Sequence, residues 1–184
     1  FKDVQKSYDG ITLVVENLNV DIARGEFLTL LGPSGSGKTT TLMMLAGFET
    51  ATHGEILLNG TPINNVPPNK RGIGMVFQHF KLVENFTVLE NVVLGAEDSA
   101  MLRPSLARAR RELKSLAEEY ELNVDPDAVI QDVGVGMQQR VEILKALYRG
   151  AEVLIMDEPT NHLDMSSQEI LQVALRQYDG TIII

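Results

Sequence analysis

The chain has 184 residues, of which 25 are acidic and 16 are basic, so its formal net charge is −9. This length fits one domain with a sizeable core, and the absence of cysteine excludes a disulfide scaffold, Cys-ligated zinc and thiol catalysis. The acidic balance argues against a protein that binds nucleic acid through spread positive charge. It does not argue against a local site for one small anion.

No apolar run approaches the roughly 18 residues that a membrane-spanning helix requires. No basic segment followed by an apolar stretch indicates a signal peptide. The chain begins at Phe1 rather than Met and ends within the apolar run 181–184, so we expect both ends to be cut.

Short strand-like runs alternate with helical patterns along the chain. Residue alternation and turn signals predict strands at 11–15, 17–22, 26–31, 54–60 (closed by the hairpin signal Asn59-Gly60), 73–77, 152–157 and 181–184. Apolar residues at helical spacing predict helices at 39–46, 104–122, 138–148 and 165–178. The outer parts therefore predict a mainly parallel α/β sheet, and the middle is rich in helix.

Basic residues cluster in and near the predicted helix 104–122, at Arg103, Arg108, Arg110, Arg111 and Lys114. This cluster could bind nucleic acid. However, glutamates are interspersed among the basic residues, which is typical of a solvated helix face. We favour the solvated face and expect no nucleic-acid partner.

The segment from position 32 to position 40 matches the phosphate-binding pattern G-x-x-x-x-G-K-[ST]. It lies between a predicted buried strand and a predicted helix, as this pattern requires, and it consists of Gly32, Pro33, Ser34, Gly35, Ser36, Gly37, Lys38, Thr39 and Thr40. Glycines let backbone N–H groups surround phosphate oxygens, and the helix N-terminus adds partial positive charge. Lys38 is expected to reach the β- and γ-phosphates, and the Thr39 hydroxyl to ligate Mg²⁺.

A second motif follows the predicted strand 152–157, where four apolar residues precede Asp157 and Glu158. At the end of a strand, Asp157 is expected to hold Mg²⁺ through water. Glu158 would then lie next to the γ-phosphate, where it could polarise an attacking water. The pattern is weak alone and becomes strong together with the phosphate-binding loop.

With these two motifs the chain resembles the nucleotide-binding domain of ABC-type ATPases over nearly its whole length. The resemblance implies a P-loop NTPase core with a mainly parallel sheet, an N-terminal antiparallel β part and an inserted helical subdomain. It also implies ATP and Mg²⁺ as cofactors. We expect one domain over 1–184, incomplete at its C-terminus, with an ATP-binding core at 1–78 and 149–184 and a helical subdomain at 79–148.

The same resemblance extends to residues outside the two motifs. Tyr8 resembles the aromatic residue that stacks on adenine in this family, and Gln78 resembles the glutamine that contacts Mg²⁺ and the attacking water. The implied catalytic residues are therefore Glu158, Lys38 and Gln78. The implied metal ligands are Thr39, Gln78 and Asp157.

The stretch 133–140 resembles the family's signature motif, and within it Gly134, Gly136 and Gln138 are expected to contact ATP held by an opposite subunit. The family places at position 134 a serine whose hydroxyl touches that γ-phosphate, and Gly134 cannot make this hydrogen bond. A charge-assisted hydrogen bond contributes about 1.5–3 kcal/mol, so we expect weaker ATP-driven dimer closure.

Two further family elements lie near the C-terminal end. Asn161 to Asp164 resembles the loop that crosses the dimer interface. The switch histidine that follows the last strand in this family is absent from the chain, and His53, His79 and His162 do not replace it. Together with Gly134, this predicts slow hydrolysis.

Different segments resemble different branches of the family. Residues 67–78 resemble ATPases of polyamine and sugar importers, and residues 80–146 resemble those of simple-sugar or nucleoside importers. Residues 158–181 resemble the soluble translation-factor branch. We interpret the chain as a mosaic, either shuffled, designed or model-generated, rather than one natural lineage.

The leading hypothesis is an ATP-binding subunit of an ABC importer. It would act as a homodimer or with a paired ATP-binding subunit, together with separate transmembrane permease subunits. We expect a cytoplasmic protein, peripheral on the inner face of the cell membrane. The alternatives are a soluble ribosome-associated ATPase, and an ATP-binding module with impaired hydrolysis.

Overall fold

The computed structural model describes residues 1–77, 81–96, 102–160 and 163–184. The backbone packs into two compact units. The first consists of Phe1–Met75, Glu152–Asp157 and Gly180–Ile184, and the second of Val76–Ala151 and Glu158–Asp179. These units are defined by packing alone, and the expected functional division into a core and a helical subdomain stays a prediction.

The described residues form nine strands and five α-helices. The strands are β1 (Lys2–Ser7), β2 (Leu13–Leu18), β3 (Phe27–Leu28), β4 (His53–Glu55), β5 (Leu57–Leu58), β6 (Thr61–Pro62), β7 (Ile73–Val76), β8 (Val153–Met156) and β9 (Thr181–Ile183). The helices are α1 (Lys38–Ala46), α2 (Val88–Val93), α3 (Leu102–Glu119), α4 (Val135–Tyr148) and α5 (Met165–Gln177).

An antiparallel sheet with the strand order β2-β1-β4 forms the N-terminal part of the first unit. The prediction of two strands at 11–15 and 17–22 is wrong, because a single strand runs through the expected break. Val4 pairs with Leu18 and Lys6 with Val15, so β2 has one more residue than β1 in this interval. Asn17, at φ +47°, lies within this bulge. The bulge absorbs the extra residue without ending the strand.

The predicted strand at 54–60 is divided between two sheets. Residues of β4 pair with β1, whereas β5 and β6 form a separate hairpin. Asn59 and Gly60 connect the hairpin with φ values of +50° and +76°. Positive φ at both turn residues matches the right-handed twist of the strands, so the hairpin predicted from this dipeptide is confirmed.

A second sheet, with the order β3-β9-β8-β7, contains the two strands on which the site depends. The pairs β3–β9 and β8–β9 are parallel, and all four residues of β8 are buried. The buried strand predicted at 26–31 is wrong in length and burial, because β3 has two residues and Phe27 is 55% exposed. Strand β3 lies at the edge of this sheet, where it pairs with β9 on one side.

The core of the first unit lies between α1 and the sheets. Apolar side chains from β1, β2, α1, β8, β9 and the two ends of the β5–β6 hairpin meet there, namely Val4, Val15, Leu42, Met44, Leu45, Ala46, Ile56, Ile63, Val153, Ile155 and Ile183. This packing holds α1 against the strand that leads to Asp157.

The second unit is built mainly from α2, α3, α4 and α5. Ala109, Leu113 and Ala117 of α3 are buried, which confirms the predicted helical spacing. Arg110, in the same helix, forms an ion pair with Asp127 at 2.5 Å. None of the helices in the described part of the chain has the length and apolar character needed to cross a bilayer.

Parallel strands, a separate antiparallel sheet and packed helices confirm the predicted α/β class. The predicted helices are present, with ends that differ by a few residues. Helix α3 ends at Glu119 rather than at Leu122, and α4 begins at Val135 rather than at Gln138. Glycine at positions 134 and 136 hides the start of this helix in the sequence, because glycine has a low helix propensity.

Candidate nucleotide-binding site

The glycine-rich segment lies between β3 and α1, in the predicted order of strand, loop and helix. Gly37 is the N-cap of α1 and has φ +86°, a conformation that side chains of L-residues rarely adopt. A Cβ at this position would lie 2.6 Å from the backbone oxygen of Val14. Glycine is therefore required here for two separate reasons.

The N-terminus of α1 is open to an anion. Gly37 provides no side-chain hydrogen bond to the helix, and the first amides of any α-helix lack acceptors within the helix. These amides carry the positive end of the helix dipole. They supply the donors that a phosphate group needs.

Lys38 folds back over the loop from the first turn of α1. Its ammonium donates hydrogen bonds to the carbonyl oxygens of Gly32, at 2.6 Å, and Pro33, at 2.9 Å. Two backbone carbonyls thus hold a positive charge within the predicted phosphate-binding segment. The chemistry matches an anionic ligand, since an ammonium has three donors and two carbonyl oxygens of the described residues accept from it.

Two of the three predicted metal ligands come together in the first unit. Thr39 Oγ1 lies 3.4 Å from Asp157 Oδ1, so the hydroxyl and the carboxylate face one another. Within the described ranges no three His, Cys, Asp or Glu side chains form a metal-binding group. Mg²⁺ commonly uses one or two protein oxygens together with substrate phosphates and waters. The Thr39–Asp157 pair fits that mode.

Glu158 follows Asp157 directly and has an exposed side chain. Its backbone has φ +51°, which is uncommon for a residue other than glycine, asparagine or aspartate. Such a conformation is often found at functional sites. The predicted role of Glu158 as a base stays a prediction, and Gln78 lies outside the described residues.

Tyr8 follows the end of β1 and presents an exposed ring. Tyr8 is 61% exposed, and the ammonium of Lys6 lies 4.6 Å from the centroid of its ring. An exposed aromatic ring can stack on a base. The predicted contact with adenine stays a prediction.

The signature-like segment forms the N-terminus of α4. Gly134 is the N-cap, with φ −69° and ψ 164°, and a Cβ there would meet no atom within 4 Å. A Cβ at Gly136 would collide with the Ser167 side chain, so this glycine allows α4 to approach α5. Gln138 donates to the carbonyls of Ile130 and Val133, at 3.4 and 3.1 Å. The roles of these three residues toward ATP stay predictions.

Gln139 has a structural role that the sequence analysis did not assign. It is buried in α4, and its Nε2 donates a hydrogen bond to the carbonyl of Pro159, which directly follows Glu158. This bond links the signature-like helix to the backbone beside the predicted base. A buried glutamine in a polar motif has no sequence signal that separates it from its half-buried neighbour Gln138.

Arg71 is a second residue that the sequence analysis missed. It is buried, and its guanidinium donates to the carbonyls of Met44 and Leu45, both at 2.8 Å, and of Val66, at 2.7 Å. Burial lowers the pKa of Arg71. Arg71 thus binds the C-terminal end of α1, where a positive charge interacts favourably with the negative end of the helix dipole.

Asp164, from the segment predicted to cross a dimer interface, caps the N-terminus of α5. Hydrogen bonds from Ser167 and Ser166 lower the pKa of this carboxyl group, with Ser167 N at 2.8 Å from Asp164 Oδ1. The preceding residues Asn161 and His162 lie outside the described residues. The described part of the segment thus starts a helix.

Comparison with known proteins identifies related sequences along nearly the whole chain. The family described as ABC transporter matches residues 15–161. The guanosine import ATP-binding protein NupO of Bacillus subtilis (strain 168) is 42% identical over 93% of this chain and 34% of its own length. The spermidine/putrescine import ATP-binding protein PotA of Clostridium novyi (strain NT) is 39% identical over 96% of this chain and 50% of its own length.

The chain thus spans about one third to one half of the length of these relatives. Relatives of different importer types each match more than nine-tenths of the chain. The interpretation of the chain as a mosaic is not tested by these matches and stays a hypothesis.

Two solved structures have a similar fold, each with a TM-score of 0.81. The dimeric structure of MJ0796, a bacterial ABC transporter cassette, is 29% identical and covers 99% of this chain and 85% of its own. The structure of cbiO1 from Clostridium perfringens, part of the ABC transporter complex cbiONQ, is 26% identical and covers 100% of this chain and 75% of its own. These similarities confirm the predicted P-loop α/β fold.

Proposed function

The chain belongs to the ABC transporter family, and from this premise we propose that it is the ATP-binding part of an importer and hydrolyses ATP with Mg²⁺. The observation that carries the proposal is the 3.4 Å separation of Thr39 Oγ1 and Asp157 Oδ1, next to Lys38 at the start of α1. A cation for phosphate and two oxygens for a metal lie together there.

The residues of the first unit fit ATP and Mg²⁺. The ammonium of Lys38 would pair with the β- and γ-phosphates, and the amides at the start of α1 would bind phosphate oxygens. Thr39 would ligate Mg²⁺ directly and Asp157 would hold it through water. When bound, the metal neutralises phosphate charge. Tyr8 would stack on the adenine ring.

Hydrolysis adds water to the γ-phosphorus and breaks its bond to the bridging oxygen, which gives ADP and inorganic phosphate. We assign Glu158 the role of accepting a proton from the attacking water. Lys38 would stabilise the negative charge on the transferred group. By its resemblance to the family, Gln78 would orient the water.

A second ATP-binding subunit would complete the site. The segment from Gly134 to Gln138 would contact ATP held by the opposite subunit, using the N-terminal amides of α4. Two findings support such pairing: the similarity to a dimeric cassette and the relatives that carry the name of import ATP-binding proteins. Separate permease chains would anchor the dimer to the cytoplasmic face of a membrane.

A second candidate function is ATP binding with slow turnover. The observation that favours it is Gly134, which leaves open space where the family has a serine hydroxyl. Without that hydroxyl, the signature segment would bind the opposite γ-phosphate less tightly. Dimer closure would then limit the rate, although each subunit would still bind ATP.

Calorimetric titration with Mg·ATP and a single-turnover ATPase assay test both functions. We expect Lys38→Ala to lose ATP affinity, while Lys114→Ala, which removes an exposed lysine of α3, retains it. Glu158→Gln is expected to bind ATP without hydrolysing it. Unchanged affinity in Lys38→Ala would contradict ATP binding at this site, and full hydrolysis by Glu158→Gln would contradict the assigned base.

A further inference from the structure

Lys6 is a buried cation in β1. It shares one face of the strand with Val4, and both residues are buried, Lys6 being only 7% exposed. Lysine is almost never buried unless its charge is paired. The groups around its ammonium therefore explain why a lysine stands at this position.

Two of these groups belong to the segment after α1. Lys6 Nζ lies 2.9 Å from Glu49 Oε2 and donates to the carbonyl of Thr50 at 2.8 Å. The amide of Glu49 donates in turn to the carbonyl of Met43, in α1, at 3.2 Å. Lys6 thus joins β1 to the end of the helix that begins with Lys38.

The third group is the ring of Tyr8. Its centroid lies 4.6 Å from Lys6 Nζ, within the range of a cation–π contact. A ring has two faces, and the ammonium takes one of them. Because Tyr8 is 61% exposed, ring surface is left for stacking on a base.

The backbone on both sides of Tyr8 is held by other residues. The amide of Ser7 donates to Thr52 Oγ1 at 3.0 Å. Asp9 Oδ1 accepts from the amides of Ile11, at 2.8 Å, and Thr12, at 2.7 Å. These bonds fix the loop, whereas Lys6 contacts the ring itself.

We propose that Lys6 is a positioning residue for base recognition, which holds the Tyr8 ring so that one face receives the base of a nucleoside triphosphate. The proposal rests on the nucleotide binding proposed above. Lys6 acts on the base through Tyr8 and has no part in binding the phosphates.

Calorimetric titration with two probes separates base from phosphate binding. Mg·ATP carries both parts, whereas Mg·tripolyphosphate carries only the phosphates. We expect Lys6→Met to weaken ATP binding by about two- to fivefold, the factor that corresponds to a cation–π contact with an exposed ring, and to leave tripolyphosphate binding unchanged. Lys6→Arg is expected to restore ATP binding, because arginine keeps the cation and the partner Glu49.

A double-mutant cycle with Tyr8→Ala tests the route of the effect. In the Tyr8→Ala background, Lys6→Met is expected to cause no further loss. An equal loss for both probes, or the same loss with and without the ring, would overturn the proposal, and so would unchanged ATP affinity in Lys6→Met. A failure of the proposed nucleotide site itself would give a different result. In that case the unaltered chain would bind tripolyphosphate no better than Lys38→Ala does.

A spectroscopic measurement covers the case in which Lys6→Met does not fold. Ring current from Tyr8 should shift the ε-methylene protons of Lys6 upfield in the NMR spectrum, and Tyr8→Leu should abolish the shift. This variant leaves the buried lysine intact. Lys6 protons at ordinary shifts in the unaltered chain would overturn the proposal.

Discussion

Thr39 and Asp157 are 118 positions apart in the chain, yet their side-chain oxygens lie 3.4 Å from one another. Thr39 lies in the first turn of α1, and Asp157 directly follows the buried strand β8. Packing between α1 and this strand therefore determines the distance. The proposed metal site depends on the core of the first unit as much as on its two ligands.

Replacing the hydroxyl of Thr39 tests this pair. We expect Thr39→Val to lose most of the gain in ATP affinity that Mg²⁺ provides, about tenfold or more, because a charge-assisted contact contributes about 1.5–3 kcal/mol. Affinity for metal-free ATP should change little. Thr41→Val makes the same substitution at a buried position of the same helix and should keep the Mg²⁺ effect. Titrations with and without Mg²⁺ measure both.

Two glycines of the loop offer a matched comparison. Gly35 and Gly37 both have a left-handed backbone, at φ +80° and +86°, but only at Gly37 would a Cβ meet the oxygen of Val14 at 2.6 Å. We expect Gly35→Ala to destabilise the fold by about 1–2 kcal/mol and Gly37→Ala by clearly more. Denaturant unfolding gives both values. Equal losses would show that the steric contact does not matter.

The parts of the site that sequence predicts are those with local causes. Lys38 follows a glycine whose conformation the phosphate-loop pattern already requires, and four apolar residues before Asp157 predict a buried strand. Both features depend on neighbouring residues. The hairpin turn at Asn59 and Gly60 is predicted for the same reason.

Features with distant causes could not be predicted. Polar residues make up most of β1, so its pattern does not predict a strand. The charge of the buried Lys6 is paired by Glu49 and Thr50, which lie more than 40 positions away in the chain. Arg71 is buried against carbonyls of α1 that lie 26 and 27 positions earlier. Neither the contacts of Lys6 nor those of Arg71 produce a pattern that can be recognised in a short stretch of the sequence.

Arg71 should be important for the stability of the first unit. Its guanidinium donates to the carbonyls of Met44 and Leu45 at the end of α1. Its loss would remove charge-assisted hydrogen bonds from a buried place, although the carbonyl of Met44 would keep a hydrogen bond from the amide of Gly47. We expect Arg71→Met to lower the free energy of unfolding by about 2–4 kcal/mol. Arg111→Met, at an exposed position of α3, should change it by less than about 0.5 kcal/mol.

The capping box at the start of α2 predicts a pH effect. Hydrogen bonds from the backbone and side chain of Thr87 lower the pKa of Glu90. Since the folded pKa lies below the unfolded value of about 4.3, the ionised carboxylate stabilises the fold above that pH, and the contribution is lost as the pH falls through the folded pKa. Thr87→Ala should raise the pKa of Glu90 in an NMR titration. An unchanged pKa would contradict the capping role.

Substitutions at Gly134 test both the stability of the fold and ATP-dependent dimer formation. As the N-cap of α4 it has an extended backbone, and a Cβ there would meet no atom within 4 Å. Gly134→Ser is expected to stabilise the fold by only a few tenths of a kcal/mol, since glycine is a tolerable N-cap.

The larger effect of Gly134→Ser should concern ATP-dependent pairing. The new hydroxyl could donate to the γ-phosphate held by the opposite subunit, so sedimentation with Mg·ATP should show tighter dimers than for the unaltered chain. Gly134→Ala adds the Cβ without the hydroxyl and should not tighten them. Because both variants add the Cβ, a difference in dimer affinity between them isolates the effect of the hydroxyl. Equal dimer affinity for the serine and alanine variants would exclude the proposed contact of this segment with the opposite nucleotide.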